Sequence, residues 1–187
     1  MAEHGDPLFQ RHVAVTGVWG LLALHLADDS ILPFNYLPYA NQLQAYTNIL
    51  SNMLDRRISL RPLKMSLQEF TSAAKQANYE SKKLRSRDNG DSLVDMKRRA
   101  LNDRLMLAEK GFLDADGLQG RQWFKHLVFG PPSDQESKLD FFPGIADAIT
   151  VSTRMNEKEG VAAIQHEIWR IARAIQRAAS ALRGECT

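Results

Sequence analysis

Five histidines and several close pairs of carboxylates are the side chains here best suited to metal or acid–base chemistry, and their spacing argues against both. His12 and His25 stand thirteen residues apart on one helical stretch, so they cannot chelate one ion from adjacent turns. His166-Glu167 lacks a second histidine four residues on, which the zinc-protease helix motif requires. His4 is near the N-terminus, and His126 sits among the apolar residues of Trp123 to Phe129. Each reads as a surface or hydrogen-bonded core histidine. Asp28-Asp29, Asp114/Asp116 and Asp134/Glu136 have no histidine or third ligand beside them. Asp114-Ala-Asp-Gly117 opens like a calcium loop, but the rest of that pattern is missing, so it reads as a polar turn. The single cysteine, Cys186, supports neither an intrachain disulfide nor a cysteine zinc site. No nucleophile elbow, phosphate-binding loop or dinucleotide fingerprint is present. Catalysis by these residues alone has no visible apparatus.

Binding chemistry has more to work with. Lys82 to Arg87 with Lys97-Arg-Arg99 forms a basic stretch, diluted by Asp88, Asp91 and Asp95 and without the interleaved aromatics that stack bases. The formal net charge is +2, from 24 basic and 22 acidic residues, which gives no general drive toward nucleic acid or anionic membrane. In the last helical stretch Arg170, Arg173 and Arg177 flank Trp169. Tryptophan and arginine are over-represented at interface hot spots, so these four are the candidate partner surface.

The elements that carry these residues are helical. Hydrophobic residues make up 44% of the 187, enough for a core in one domain spanning residues 1–187. Asp6-Pro7 starts a helix over about 7–29. From Val13 to Ala27 it is apolar nearly all round, too short and too interrupted for a membrane span, and reads as a buried core helix. Further helices are expected over 39–56, over 67–85 behind a Ser66-Leu-Gln-Glu69 capping box, and over 92–111. The stretch 112–160 reads as an irregular insert, with an extended or short-strand segment at Trp123 to Phe129 and a short helix from Phe142-Pro143-Gly144 to Val151. The last helix, 161–183, carries Val161, Ile164, Ile168, Ile171, Ile175, Ala178 and Leu182 in an a/d seam. The expectation is an all-α, four-helix-bundle-like domain with an irregular insert before its last helix.

An ordered series of short stretches carries a family resemblance. It runs Asp6-Pro-Leu-Phe9 with His12 and Val13; Trp19-Gly20; Leu26-Ala-Asp28; Ile31-Leu-Pro-Phe34; Leu101-Asn-Asp103 with Leu105-Met106; Glu109 with Phe112; Gly117-Leu118 and Arg121; Phe124-Lys-His126 with Pro131; and Phe142-Pro-Gly-Ile145 with Asp147-Ala148. Over nearly its whole length the chain resembles the C-terminal helical domain shared by glutamate carboxypeptidase II and the transferrin receptor, with wording nearest the plant carboxypeptidase branch. The resemblance implies a domain that pairs with a second subunit and packs on a peptidase domain. In the family that peptidase domain holds the zinc ions, the catalytic acid and a membrane tether. All of these lie upstream of what corresponds to His4-Gly5-Asp6, so the chain itself is expected to hold no cofactor. In the animal peptidases a Lys-Tyr pair before the Phe-Pro-Gly-Ile motif grips the substrate's terminal glutamate. An ungapped count places that pair at Glu136 and Ser137, which cannot imitate it, while Lys138 compensates if the loop shifts by two residues.

The expected function is therefore a non-catalytic dimerisation module: a homodimer, with the peptidase domain of a related full-length chain as second partner, and neither nucleic-acid binding nor membrane insertion. The rival readings are a fragment of an active membrane-bound zinc carboxypeptidase and a basic helical module for acidic partners. Family members carry this domain on the lumenal or outer side of a membrane; nothing in the sequence itself supplies a tether or fixes the compartment. The warrant is apolar surface in excess of what four helices bury among themselves, in the first helix and the last-helix seam.

Overall fold

The computed structural model describes residues 5–87, 91–131 and 139–185. Its elements are a 3-10 turn, Pro7–Phe9, and helices α1 (Gln10–Asp28), α2 (Tyr36–Met53), α3 (Arg61–Arg85), α4 (Ser92–Lys110), α5 (Pro143–Ser152) and α6 (Glu157–Arg183). No strand occurs among the described residues. The extended segment expected at 123–129 forms only an isolated bridge, Leu113 with His126.

α3 and α6 are the central pair, with α2 laid against α3 and with α4 and α5 laid against α6. The periodicity of α6 explains its place. Ile164, Ile168, Ile171, Ile175, Ala178 and Leu182 are all buried, against a matching stripe of Leu63, Leu67, Phe70, Ala74, Ala77 and Leu84 on α3. The seam is therefore covered within one chain and leaves no surplus surface for a partner. At the far end of α4 the backbones meet closely. A Cβ on Gly111 would lie 2.5 Å from the Ala178 amide nitrogen and 2.7 Å from its Cα, so only glycine fits.

Local chemistry moves the starts of α2, α3 and α6; α6 begins at Glu157 rather than at 161, because the Asn156 side chain accepts from the Glu159 amide (2.9 Å) and caps it. α3 begins at Arg61 with Pro62 in its first turn, where a missing N–H costs nothing. Ser66 thus lies inside the helix, its hydroxyl donating back to the Leu63 carbonyl (2.9 Å) rather than capping. α2 begins at Tyr36, because the Asn35 side chain accepts from the Leu37 amide (3.1 Å) and caps it. Asp6 does cap the first helix, though across the 3-10 turn: its carboxylate accepts from the amides of Arg11 (3.0 Å) and His12 (2.9 Å) and from the His12 ring.

The reading of the first helix as core is corrected. No residue of α1 is buried, and α1 touches no helix of the bundle. Val13, Val15, Val18, Trp19, Leu21, Leu22, Leu24 and Leu26 are all exposed. An apolar circumference demands neighbours, and no helix of the described bundle supplies them. The bundle proper takes hold at Ile31, which is fully buried. Asn102 accepts from the Leu32 amide (3.0 Å) and donates to the Ser30 carbonyl (3.2 Å), and Arg85 donates to the Ile31 carbonyl (3.0 Å).

Candidate functional site: two interaction surfaces

α6 offers a narrow outward row between its neighbours: His166, Trp169, Arg173 and Gln176, spaced three and four apart and all exposed. Trp169 is 52% exposed, on a helix whose other large apolar side chains are covered. Of the four residues expected to form a partner surface, Trp169 and Arg173 lie on this row. Arg170 and Arg177 point instead to the segment after α4. Arg170 donates to Glu167 (3.0 Å), Asp114 (2.9 Å) and the Gly117 carbonyl (2.6 Å); Arg177 donates to the carbonyls of Gly111 (3.2 Å) and Leu113 (2.8 Å). They brace the ground beside the row and tie residues 111–118 to α6.

That bracing is a charge network. Glu167 is 4% exposed, and its carboxylate sits against Gly144 in the first turn of α5, where a side chain would collide with it. Burial pushes the Asp114 carboxyl up. The Arg170 hydrogen bond and charge, the Asp116 amide and the Arg177 charge together outweigh this and hold it below the ordinary carboxylate range. A carboxyl depressed on folding contributes stability that is complete above its unfolded value, about 4, and is lost as pH falls through the lower folded value. Denaturant melts at decreasing pH should show stability falling below about pH 4, and Asp114→Asn should flatten that fall while lowering stability at neutral pH.

A second pair, not anticipated from sequence, ties residues 121 and 131 to α5. Arg121 donates to Asp147 on α5 (2.5 Å) and to the Pro131 carbonyl (2.5 Å), with its guanidinium over the Phe124 ring. Helical spacing gives no hint of this contact, since Arg121 belongs to irregular chain. Lys138, Glu136 and Ser137, the candidate substrate-binding positions, lie outside the described residues.

The histidines stay apart. His12 pairs with Asp6, and His25 is within 3.4 Å of Asp29. His126 accepts from the amides of Val128 and Phe129 at Nδ1, which leaves the proton on Nε2 facing Glu109 (3.2 Å). His166 stands on the exposed row, and His4 lies outside the described residues. Among the described residues no group of three or more histidine, cysteine or acidic side chains could hold a metal ion. No helix among them is long and apolar enough to cross a membrane. The basic stretch is partly internal: Arg98 is buried and donates to Asp95 and to the carbonyls of Leu84 and Arg87, and Arg85 reaches Ile31.

The second surface is α1 itself, apolar on every side. The described residues thus form a bundle with an internally covered seam, an exposed tryptophan row and an apolar helix that packs on no other helix. The chain belongs to the transferrin receptor-like dimerisation domain family, whose model matches residues 58–183. Among curated proteins it is 55% identical to the probable glutamate carboxypeptidase AMP1 of Arabidopsis thaliana and 52% identical to the probable glutamate carboxypeptidase VP8 of Zea mays. These alignments take in 100% and 99% of this chain but 26% of each relative, so the chain spans about a quarter of their length. It is also 30% identical to the aminopeptidase NAALADL1 of Mus musculus, over 95% of this chain and 24% of that protein.

Proposed function

We propose that these 187 residues serve as a non-catalytic pairing and scaffold module of a glutamate carboxypeptidase-like protein. The module joins two copies through the α6 row and seats a peptidase domain on α1. The observation that carries the pairing role is Trp169: a half-exposed tryptophan beside Arg173, on a helix whose isoleucines and Leu182 are all buried. Such a residue is a typical anchor at the centre of an interface, and a row on one helix can meet its own copy about a two-fold axis. Arg170 and Arg177 support the row from beneath.

α1 calls for a different kind of partner. Two copies packed side by side would cover only one stripe of each helix, whereas α1 is apolar around its circumference. It fits a body that encloses it, and the three-quarters of the relatives' length that this chain does not span provides one. The zinc chemistry of such a protein would reside there. The part nearest to substrate in these 187 residues would be the stretch around Lys138.

The pairing claim is tested on the fragment beginning at Ser30, so that association through α1 does not enter. Sedimentation velocity at micromolar concentration should show a dimer. The double substitution Trp169→Ala, Arg173→Glu should weaken it by roughly tenfold or more, since hot-spot truncations cost about 2 kcal/mol or above. Melting should be nearly unchanged. A dimer indifferent to both substitutions would remove the α6 row from the account. Zinc-supplemented protein should not hydrolyse an acidic peptide; hydrolysis would favour the enzyme reading instead.

A further inference from the structure

We propose that His126 works as a proton-operated clasp on the turn it begins, closed while its ring is neutral and open once the ring is charged. Its Nδ1 accepts from two backbone amides, those of Val128 (3.2 Å) and Phe129 (3.0 Å). A ring nitrogen accepts only while it carries no proton, and both nitrogens of a charged imidazolium are donors. A proton on Nδ1 would therefore set one N–H against two others. The Val128 amide belongs to a fully buried residue, and a buried donor left without an acceptor is costly. Histidine is the side chain whose charge ordinarily changes between about pH 5 and 8, so the clasp answers to physiological acidity.

The surroundings give the charged ring somewhere to go. Nε2 lies 3.2 Å from Glu109 on α4, a half-exposed carboxylate that can move with it. The ring also meets Phe112 (centroids 5.8 Å apart) and Phe129 (5.7 Å), which bring no charge. Lys125 and Asp114, beside the bridge of Leu113 with His126, turn to the Ala115 carbonyl and to Arg170 instead. Burial, and then the Glu109 charge, hold the Tyr36 and Tyr39 phenols of α2 well above their ordinary range, so both stay neutral. Glu109 is thus the group that would hold the imidazolium. The chain on either side is pinned separately: the Leu127 amide donates to the Phe112 carbonyl (3.1 Å), and the Val128 carbonyl accepts from the Phe142 amide (2.9 Å). The clasp governs the step into Phe129, whose ring meets Tyr39 and Tyr46 edge-on. Opening it loosens the Val128 and Phe129 amides and unseats Phe129 while the helices stay in place.

The test is amide hydrogen exchange as a function of pH on the fragment beginning at Ser30, which keeps the bundle whole because α1 packs on none of its helices. Protection of the Val128 and Phe129 amides, corrected for the intrinsic rate, should fall by roughly tenfold or more between about pH 8 and about pH 5. Amides in the middle of α6 should keep theirs. His126→Asn should leave both amides protected across the range. The new side-chain oxygen stands on Cγ as Nδ1 does, accepts in the same place and takes up no proton. Glu109→Gln should move the loss to lower pH, because the charged ring then lacks its carboxylate. The proposal is overturned if both amides stay protected down to about pH 5, if His126→Asn loses protection in step with the parent, or if α6 opens at the same pH.

Discussion

Removing residues 1–29 should convert a self-associating chain into a well-behaved bundle without loss of fold. Burying a leucine- or valine-sized side chain contributes about 1.5–3 kcal/mol. α1 exposes Val13, Val15, Val18, Trp19, Leu21, Leu22, Leu24 and Leu26, so the gross driving force for covering it is on the order of 10–20 kcal/mol before ordering costs. The intact chain should therefore form large, heterogeneous species at micromolar concentration. The fragment from Ser30 loses that drive but keeps the anchors at Ile31, Leu32, Asn102 and Arg85, because α1 contributes no packing to the bundle. Its melting temperature should stay within about 3 °C of the intact chain's value, the shift expected for at most ~1 kcal/mol in a domain of this size. Scattering and circular dichroism on the two proteins decide the matter. Unfolding of the fragment would show that α1 is a structural part of the bundle.

Arg170→Ala should be the most damaging single substitution among the charged residues, at about 3–5 kcal/mol. Arg170 is 16% exposed and reaches Glu167, Asp114 and the Gly117 carbonyl at once. Its loss strands Glu167, a carboxylate whose side chain is 5% exposed, against the first turn of α5. Removing one partner of a buried pair costs far more than the pair is worth, because the other charge stays behind without compensation. Trp169→Ala, one residue away, should change stability by no more than about 1 kcal/mol, since half of that side chain already faces solvent. Denaturant melts of the two variants thus separate a residue that holds the fold from one that meets a partner. Near-equal losses would mean that the two share one role.

This contrast shows what the sequence made legible. Regular helical spacing identified α2, α3, α4 and α6 and placed the isoleucine seam of α6 on one face. The seam's partner was harder to read, because an a/d stripe looks the same whether α3 or another subunit covers it. For α1 the same ambiguity ran the other way: apolar residues on every side suggested the centre of this chain, while the geometry leaves them outside it. Arg170 shared a cluster with Trp169 in sequence but turns to the other side of the helix. Its acceptor Asp114 lies 56 positions earlier in a turn, where no periodicity could announce it. Ser66 resembled a cap until Pro62 moved the helix start upstream. The ordered family stretches survive these local differences because they mark the joints of the fold: Ile31 at its entry, Phe112 after α4, and Phe142-Pro-Gly at the start of α5.

The central claim, that two copies meet along the α6 row, is tested most directly by cysteine cross-linking. In the fragment beginning at Ser30, with Cys186 replaced by serine, single cysteines are placed at position 166, 169 or 173, and at Lys75 on the exposed side of α3 as a control. Near a two-fold axis a residue faces its own copy. Mild oxidation should therefore give covalent dimers from the α6 positions and not from position 75. Cross-linking from position 75 alone, or from none of the four in a protein that sediments as a dimer, would contradict it.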